Sequence, residues 1–377
     1  MTVSMKSTAP TSGTADSAAD WRQQIPGPRR RALRAWLWSI AATTFAVMVV
    51  GGITRLTQSG LSIVDWQPIM GVIPPLNEAQ WQEAFDRYRQ FPEYQVLRRG
   101  MTMDEFRFIF FWEYLHRVLA RVIGLVFLVP FAWFAVRRYF NRELAVRALL
   151  LFGLGAAQGL MGWLMVASGL VDRPSVSHFR LAAHLSLAFI IFAACVWLVR
   201  ELRSDFTPVT VGQGVLGRVR RGVIILGVLL GLQIVWGAFV AGLKAGFLYN
   251  TFPLMGGRLV PVDLLAQDGG VANFVNNAIA VQWLHRVMGT VLAVWAVVVA
   301  AQVRRWDTDA NTRRLATVMA AGVLAQYGLG ILTLVYRVPV SLGVIHQAAA
   351  LVLLGVWAWW VHHLWRIAVP AHTSVAA

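Results

Sequence analysis

The stretch FFWEYLHRVLARVIGLVFLVPFAWF, residues 110–134, is apolar and long enough to span a bilayer, yet it carries Glu113, His116, Arg117 and Arg121. Crossing about 30 Å of hydrocarbon takes roughly 20 helical residues. An Arg or Asp at the centre of such a helix costs about 2.5–3.5 kcal/mol on insertion scales, so charged side chains there point to a function.

The rest of the chain has the same character. Of its 377 residues 57% are hydrophobic and only 14% charged, against about 25% charged in soluble proteins. Apolar runs of spanning length occur near 36–53, 108–136, 148–167, 181–199, 222–241, 279–301, 315–335 and 340–361. The sequence therefore predicts an all-α integral membrane protein with eight transmembrane helices. Its net charge of +16 could suggest nucleic acid, but the cations follow topology. With the N-terminus inside, the inner segments hold 20 Lys and Arg and the outer segments 11, with three more inside spans. That is the positive-inside pattern, and it excludes a nucleic-acid footprint.

Residues 1–35 read as a disordered cytoplasmic tail without a signal-peptide core, and Asp16 and Asp20 count against a transit peptide. The one cysteine, Cys195, lies in a span, which excludes an intrachain disulfide and a CxxCH haem attachment. Two outer connections are long, 54–107 and 242–278. In the first, Asn77 offers a cap for a helix over EAQWQEAFDRYRQF, whose Trp81, Phe85 and Tyr88 recur at helical spacing. That helix reads as an interfacial cover, with contact to a substrate as the alternative.

The chain also repeats. WEYLHRVLARVIG around His116 resembles QWLHRVMGTVLAV around His285, and AAQGLMGWLMVASGL (156–170) resembles LAQYGLGILTLVYRV (324–338). Two pseudo-symmetric four-helix bundles are the simplest architecture, residues 36–201 and 202–366, with a tail at 367–377. Four histidines fall inside spans, one on each even-numbered span: His116, His184, His285 and His346. Each sits within the first turns from the outer side. Four imidazoles at one depth, two per bundle, suit bis-histidine ligation of two haem irons. Zinc fits less well, because no carboxylate or thiolate accompanies the second pair. His178, His362, His363 and His372 read as interfacial residues in connections or the tail.

Glu113 is the sole acid within any span, and it shares a helix face with His116. It is either a proton-handling group or the partner of Arg117 in a structural ion pair. In the repeat, His116 becomes His285 and Arg117 becomes Arg286, but Glu113 becomes Gln282 and Arg121 becomes Thr290. The second copy keeps a ligand site and loses its acid. The first half is thus expected to do chemistry and the second to hold a resident cofactor. Arg117, Arg121 and Arg286 are candidates for haem propionates, for Glu113 or for backbone carbonyls.

Taken together, GGITRLTQSGLSIVDWQPIMG, EYLHR, RLAAHL, NTFPLMGGRLVP, QWLHRVMG and GVIHQ resemble the haem A synthase family across nearly the whole membrane region. The likeness is to the subgroup of alphaproteobacteria and mitochondria, which lacks a cysteine pair in the first outer loop. The resemblance implies oxidation of the ring-position-8 methyl of haem O to a formyl group, giving haem A for terminal oxidases. It implies that His116 and His184 hold the substrate haem, that His285 and His346 hold a resident haem b, and that Glu113 is catalytic. Haem O synthase, oxidase assembly factors and an unidentified electron-transfer partner are the implied associates, and a homo-oligomer is left open. The expected location is the bacterial inner membrane with both termini cytoplasmic, the mitochondrial inner membrane being the alternative. The rival functions are a bis-histidine dihaem b-type electron carrier and a haem exporter or chaperone. Neither needs a buried acid.

Overall fold

The helix that carries the charged stretch starts well before the stretch itself. Thr102 caps it, its hydroxyl accepting from the Glu105 N–H while the Glu105 carboxylate accepts from the Thr102 N–H. This reciprocal box satisfies two of the backbone donors that a helix N-terminus exposes. The computed structural model describes residue 21 and residues 24–64, 71–170, 174–203, 211–266 and 269–367. Most of the 1–35 tail, residues 65–70 of the first motif, His372 and nearly all of the 367–377 tail lie outside the described residues.

The helices are α1 (Gly27–Leu56), α2 (Glu78–Tyr88), α3 (Pro92–Leu97), α4 (Met103–Val136), α5 (Arg142–Ala167), α6 (His178–Glu201), α7 (Gln213–Gly242), α8 (Asn273–Asn276), α9 (Ala278–Arg305), α10 (Ala310–Val335) and α11 (Val340–Trp365). Eight of the described helices are long and apolar enough to cross a membrane: α1, α4, α5, α6, α7, α9, α10 and α11. Several overrun the apolar runs; α7 begins at Gln213 rather than near 222, and α5 at Arg142 rather than near 148. Backbone hydrogen bonding continues through polar residues that hydropathy does not count.

Large apolar side chains such as Leu125, Val129, Leu150 and Val228 are more than half exposed on the spans. A surface this apolar suits lipid rather than water. The interior is filled by Leu33, Cys195, Val223, Leu226, Val303 and Leu351, each fully buried. In the first half α1 packs against α4 and α6, and α5 against α6; in the second, α9 packs against α7 and α10, and α11 against α10 and α7. The halves join through α6 against α7 and α11, and through α1 against α11. Hydrogen bonds cross that joint, among them one from the Gln347 amide to the Met48 carbonyl at 2.8 Å.

The long connections lie at one end of the bundle, here called the loop-rich end. Asn77 caps α2 as its sequence predicts, accepting from the Gln80 N–H at 2.9 Å. Phe85 and Tyr88 are buried against the first turns of α4, stacking on Phe106 at 4.8 and 5.4 Å. The helix is thus a cover over the start of α4. At the opposite end, one expectation is corrected. His362 and His363 are not in a connection; both lie in the last turns of α11 and are buried. His363 Nε2 is 3.0 Å from Asp309, the cap of α10, and His362 Nε2 is 3.6 Å from Glu201. These acidic partners allow the helix to continue with its polar side chains inside. His178 is the first residue of α6.

Candidate functional site

The four span histidines sit on α4, α6, α9 and α11, and the glycines beside them show a regular device. A Cβ at Gly51 on α1 would lie 2.8 Å from His116 Cε1. The same holds for Gly162 on α5 and His184 (3.0 Å), Gly237 on α7 and His285 (3.2 Å), and Gly330 on α10 and His346 (3.0 Å). Each imidazole therefore leans edge-on against the backbone of the preceding span, where any side chain would push it away. His285 and His346 line one cavity, and His116 and His184 stand on two helices of the other half. The structure thus sets the histidines two per half. His116 lies about three and a half turns into α4 and the others about two turns into their helices, because of the four histidine helices α4 starts furthest outside its apolar run.

The residues fit a haem iron at each pair. The Nδ1 atoms of His285 and His346 are buried without a hydrogen-bond partner, and a buried orphan nitrogen is costly unless something else engages it. A cavity of about 280 Å³ contains both His285 and His346. Its walls are largely aliphatic, with Arg55, Lys244 and Arg286 as the cations and no Asp or Glu among the described lining residues. An apolar slot edged by cations matches a flat macrocycle bearing carboxylates.

Three glutamines, which the sequence reading passed over, reach the histidines. Gln158 Nε2 lies 3.3 Å from His184 Nε2, and Gln233 Nε2 lies 3.3 Å from His285 Nε2. Gln326 donates to the His346 carbonyl at 2.8 Å. Each stands four residues before the glycine that cradles the ring, so one helix face carries both. The signal was present in the sequence as QxxxG in α5, α7 and α10. Arg55 and Lys244 carried no comparable signal, since their approach to the cavity depends on how α1 and the second loop fold back. Arg55 donates to the Ala241 carbonyl at 2.7 Å, and Lys244 to Gln58 at 3.2 Å.

Around Glu113 the structure differs from a carboxyl set in an apolar bundle. Arg117 donates to Oε1 from Nη2 at 2.6 Å and from Nε at 3.1 Å. The Ser62 hydroxyl and the Ile63 N–H donate to Oε2 at 2.7 and 2.8 Å. The first loop folds back to supply the last two donors, and Arg117 also donates to the Ile63 carbonyl at 2.7 Å. The carboxylate is buried, 3% exposed, and held by four donors. In the second half Gln282 donates to the Tyr249 carbonyl at 3.1 Å, and Arg286 donates to the carbonyls of Tyr249 (2.6 Å) and Thr251 (2.7 Å). The same frame thus carries a charged pair in one half and an amide with loop carbonyls in the other. Arg121, one turn beyond Arg117, is partly exposed.

Outside the spans, the first loop holds a second acid out of water. Glu93 on α3 is 5% exposed and accepts from the Tyr88 hydroxyl at 3.2 Å. Burial pushes its carboxyl up to about 7, against the opposing pull of Arg98.

Residues 34–358 match the family model described as cytochrome oxidase assembly protein. A protein of Rhodospirillum centenum named heme A synthase is 47% identical over 345 residues, 90% of this chain and 91% of that one. Proteins of the same name from Parvibaculum lavamentivorans and Nitrosospira multiformis are 44% and 42% identical. They cover 88% and 89% of this chain, and 94% and 93% of their own lengths.

Proposed function

This chain belongs to the cytochrome oxidase assembly protein family, and we infer that it is a membrane oxidoreductase converting haem O into haem A. The reaction takes the ring-position-8 methyl of haem O to a formyl group: formally R–CH3 + H2O → R–CHO + 4 H+ + 4 e−, so the carbon gains an oxygen while its electrons leave to the electron-transfer partner. We read residues 36–201 as the substrate half, with His116 and His184 on the substrate iron. Residues 202–366 form the half with a resident haem b on His285 and His346. When bound, the resident group supplies electron transfer; the protein supplies position and proton handling.

The observation that carries this reading is the contrast between Glu113 and Gln282 on matched His–Arg frames. Gln nearly matches Glu in shape but cannot exchange a proton. Only the half with the acid can accept or deliver one beside its histidine. Arg117, Ser62 and the Ile63 amide fix the direction of the Glu113 carboxylate, and the Ser62 hydroxyl is a neighbour with a mobile proton. The loop residues that close over Glu113 also shield this exchange from bulk water. Around the second histidine pair, Arg55 from α1 with Lys244 and Arg286 suits the propionates of the resident haem. Arg117 is committed to Glu113 instead.

The loop-rich end is read as periplasmic and both termini as cytoplasmic, in a bacterial inner membrane. Haem O synthase, oxidase assembly factors and an electron-transfer partner follow from resemblance. The alternative of a dihaem electron carrier leaves the donor shell of Glu113 without use. Extraction of haems from cells with and without this chain tests the reading. Haem A formed only in its presence is expected, and haem O alone in both would refute it.

A further inference from the structure

The repeat that carries the two histidine pairs fails at one place, the seam between the second and third spans of each half. In the second half α9 and α10 pack along their length, whereas α4 and α5 meet only sparsely. One contact between them, Phe127 to Phe152 at 5.6 Å, lies far from the histidines, toward the loop-poor end.

The residues account for the difference. Superposing the QxxxG segments places Tyr327 of α10 at the position of Gly159 of α5, and Val323 at that of Gly155. Superposing the His–Arg segments places Thr290 at the position of Arg121. The Tyr327 and Thr290 hydroxyls are 2.8 Å apart, tying α10 to α9, and Phe252 packs edge-on against Tyr327 at 6.0 Å. A Cβ at Gly155 or Gly159 would meet nothing within 4 Å. Burial follows the same line. The buried residues of α5 are Leu144, Ala148 and Leu151, all in its loop-poor half, whereas burial along α10 continues to Val323 and Thr333. Between Glu113 and Phe127, α4 has no buried residue, but α9 buries Gly289, Leu292 and Ala293 over the matching stretch.

We propose that the α4–α5 seam is the membrane-side door through which haem O enters, and haem A leaves, the His116–His184 site. The proposal rests on reading that site as the substrate site. Haem O carries a long isoprenoid chain, so it partitions into lipid. A door that opens sideways keeps that chain in hydrocarbon throughout, whereas passage past the loops would expose it to water. A resident haem needs no door, and the half assigned to it is latched by the Tyr327–Thr290 pair. The two halves share a ligand frame and differ in whether the occupant can leave.

Filling the seam tests this. In Gly155→Val/Gly159→Tyr, which leaves Arg121 in place, the low-spin absorbance of the resident haem should match wild type. The haem O recovered with the purified protein should fall about tenfold, the scale of one buried contact. In the converse variant, Thr290→Val, which removes the tie to Tyr327 and leaves the lining of the His285–His346 cavity unchanged, transfer of the resident haem to apomyoglobin should accelerate by a similar factor. A double variant that keeps its resident haem and loads haem O like wild type overturns the proposal. So does a Thr290→Val protein that holds its haem as firmly as wild type. Should the double variant not fold, the exchange rate of Thr290→Val decides alone. A wild-type chain that makes no haem A refutes the substrate-site reading, while the Thr290→Val exchange still reports on the seam.

Discussion

Glu113 and Arg117 form an ion pair at 2.6 Å, four residues apart on α4, with the arginine 15% and the acid 3% exposed. A buried pair of this kind is a structural commitment, since removing one partner commonly costs about 3–5 kcal/mol. The pair also sits beside the histidine of the half assigned to chemistry. Glu113→Gln separates the two roles. The second half holds Gln on this frame because Gln282 and Arg286 both find loop carbonyls, whereas every partner of the Glu113 carboxylate is a donor. The yield of folded, haem-loaded protein should therefore fall somewhat, and activity is compared per loaded molecule. Loss of a positioned acid–base group lowers rate by about 10²–10⁴, so haem O or a partly oxidised product should accumulate. Haem A formed per folded, haem-loaded enzyme is the measurement. A value near wild type would leave the pair with a structural role alone.

The resident haem should depend on the second histidine pair. His285→Ala and His346→Ala each remove one imidazole from the cavity that contains both, and each should abolish most of the low-spin b-type absorbance of the purified protein. Full absorbance in both variants would show that other residues hold the iron.

The glycine cradles make a subtler prediction. In Gly330→Ala the new methyl would sit 3.0 Å from His346 Cε1, which is tighter than nearly all such contacts. The ring must turn or shift by a few tenths of an ångström, while the helix keeps its fold and gains propensity. Electron paramagnetic resonance of the oxidised haem should show altered low-spin g values at nearly unchanged haem content. Unaltered g values would mean that the cradle does not set the ring.

Topology can be read by labelling at an exposed position of the first long loop. Ser59 is fully buried there, whereas Leu76 is 72% exposed. Leu76→Cys in intact spheroplasts should react with an impermeant thiol reagent. Reaction only after lysis would reverse the assigned orientation.

Glu93 gives the first loop a pH dependence. Its carboxyl is raised to about 7 in the folded loop by burial, against about 4.3 in an unfolded chain. The folded state therefore holds a proton that the unfolded state has released, and stability falls as pH rises between about 4.3 and 7. Glu93→Gln should flatten that fall. Limited proteolysis of the loop between pH 5 and 8 reads it out, with wild type more readily cut at pH 8 and the variant nearly constant. Equal pH profiles would mean that Glu93 ionises freely in the fold.

Eight spans, the capped helix after Asn77, the four histidines, the lone acid and its loss in the second copy were all legible in the chain. Each depends on local quantities: apolar length, helical periodicity and the identity of one residue against its repeat. The ends of the spans were less legible, as with His362 and His363, because hydropathy stops at the hydrocarbon while the helix continues to its partners Glu201 and Asp309. The tertiary structure alone decided which donors reach Glu113, since Ser62 and Ile63 come from a loop some fifty residues earlier. It alone set each histidine against a glycine of the span before it, and it alone left α4 apart from α5 while latching α9 to α10. Those outcomes depend on which helix faces meet. In lipid, where apolar side chains gain little by leaving their surroundings, the faces are chosen by close packing of small residues and by hydrogen bonds between distant segments.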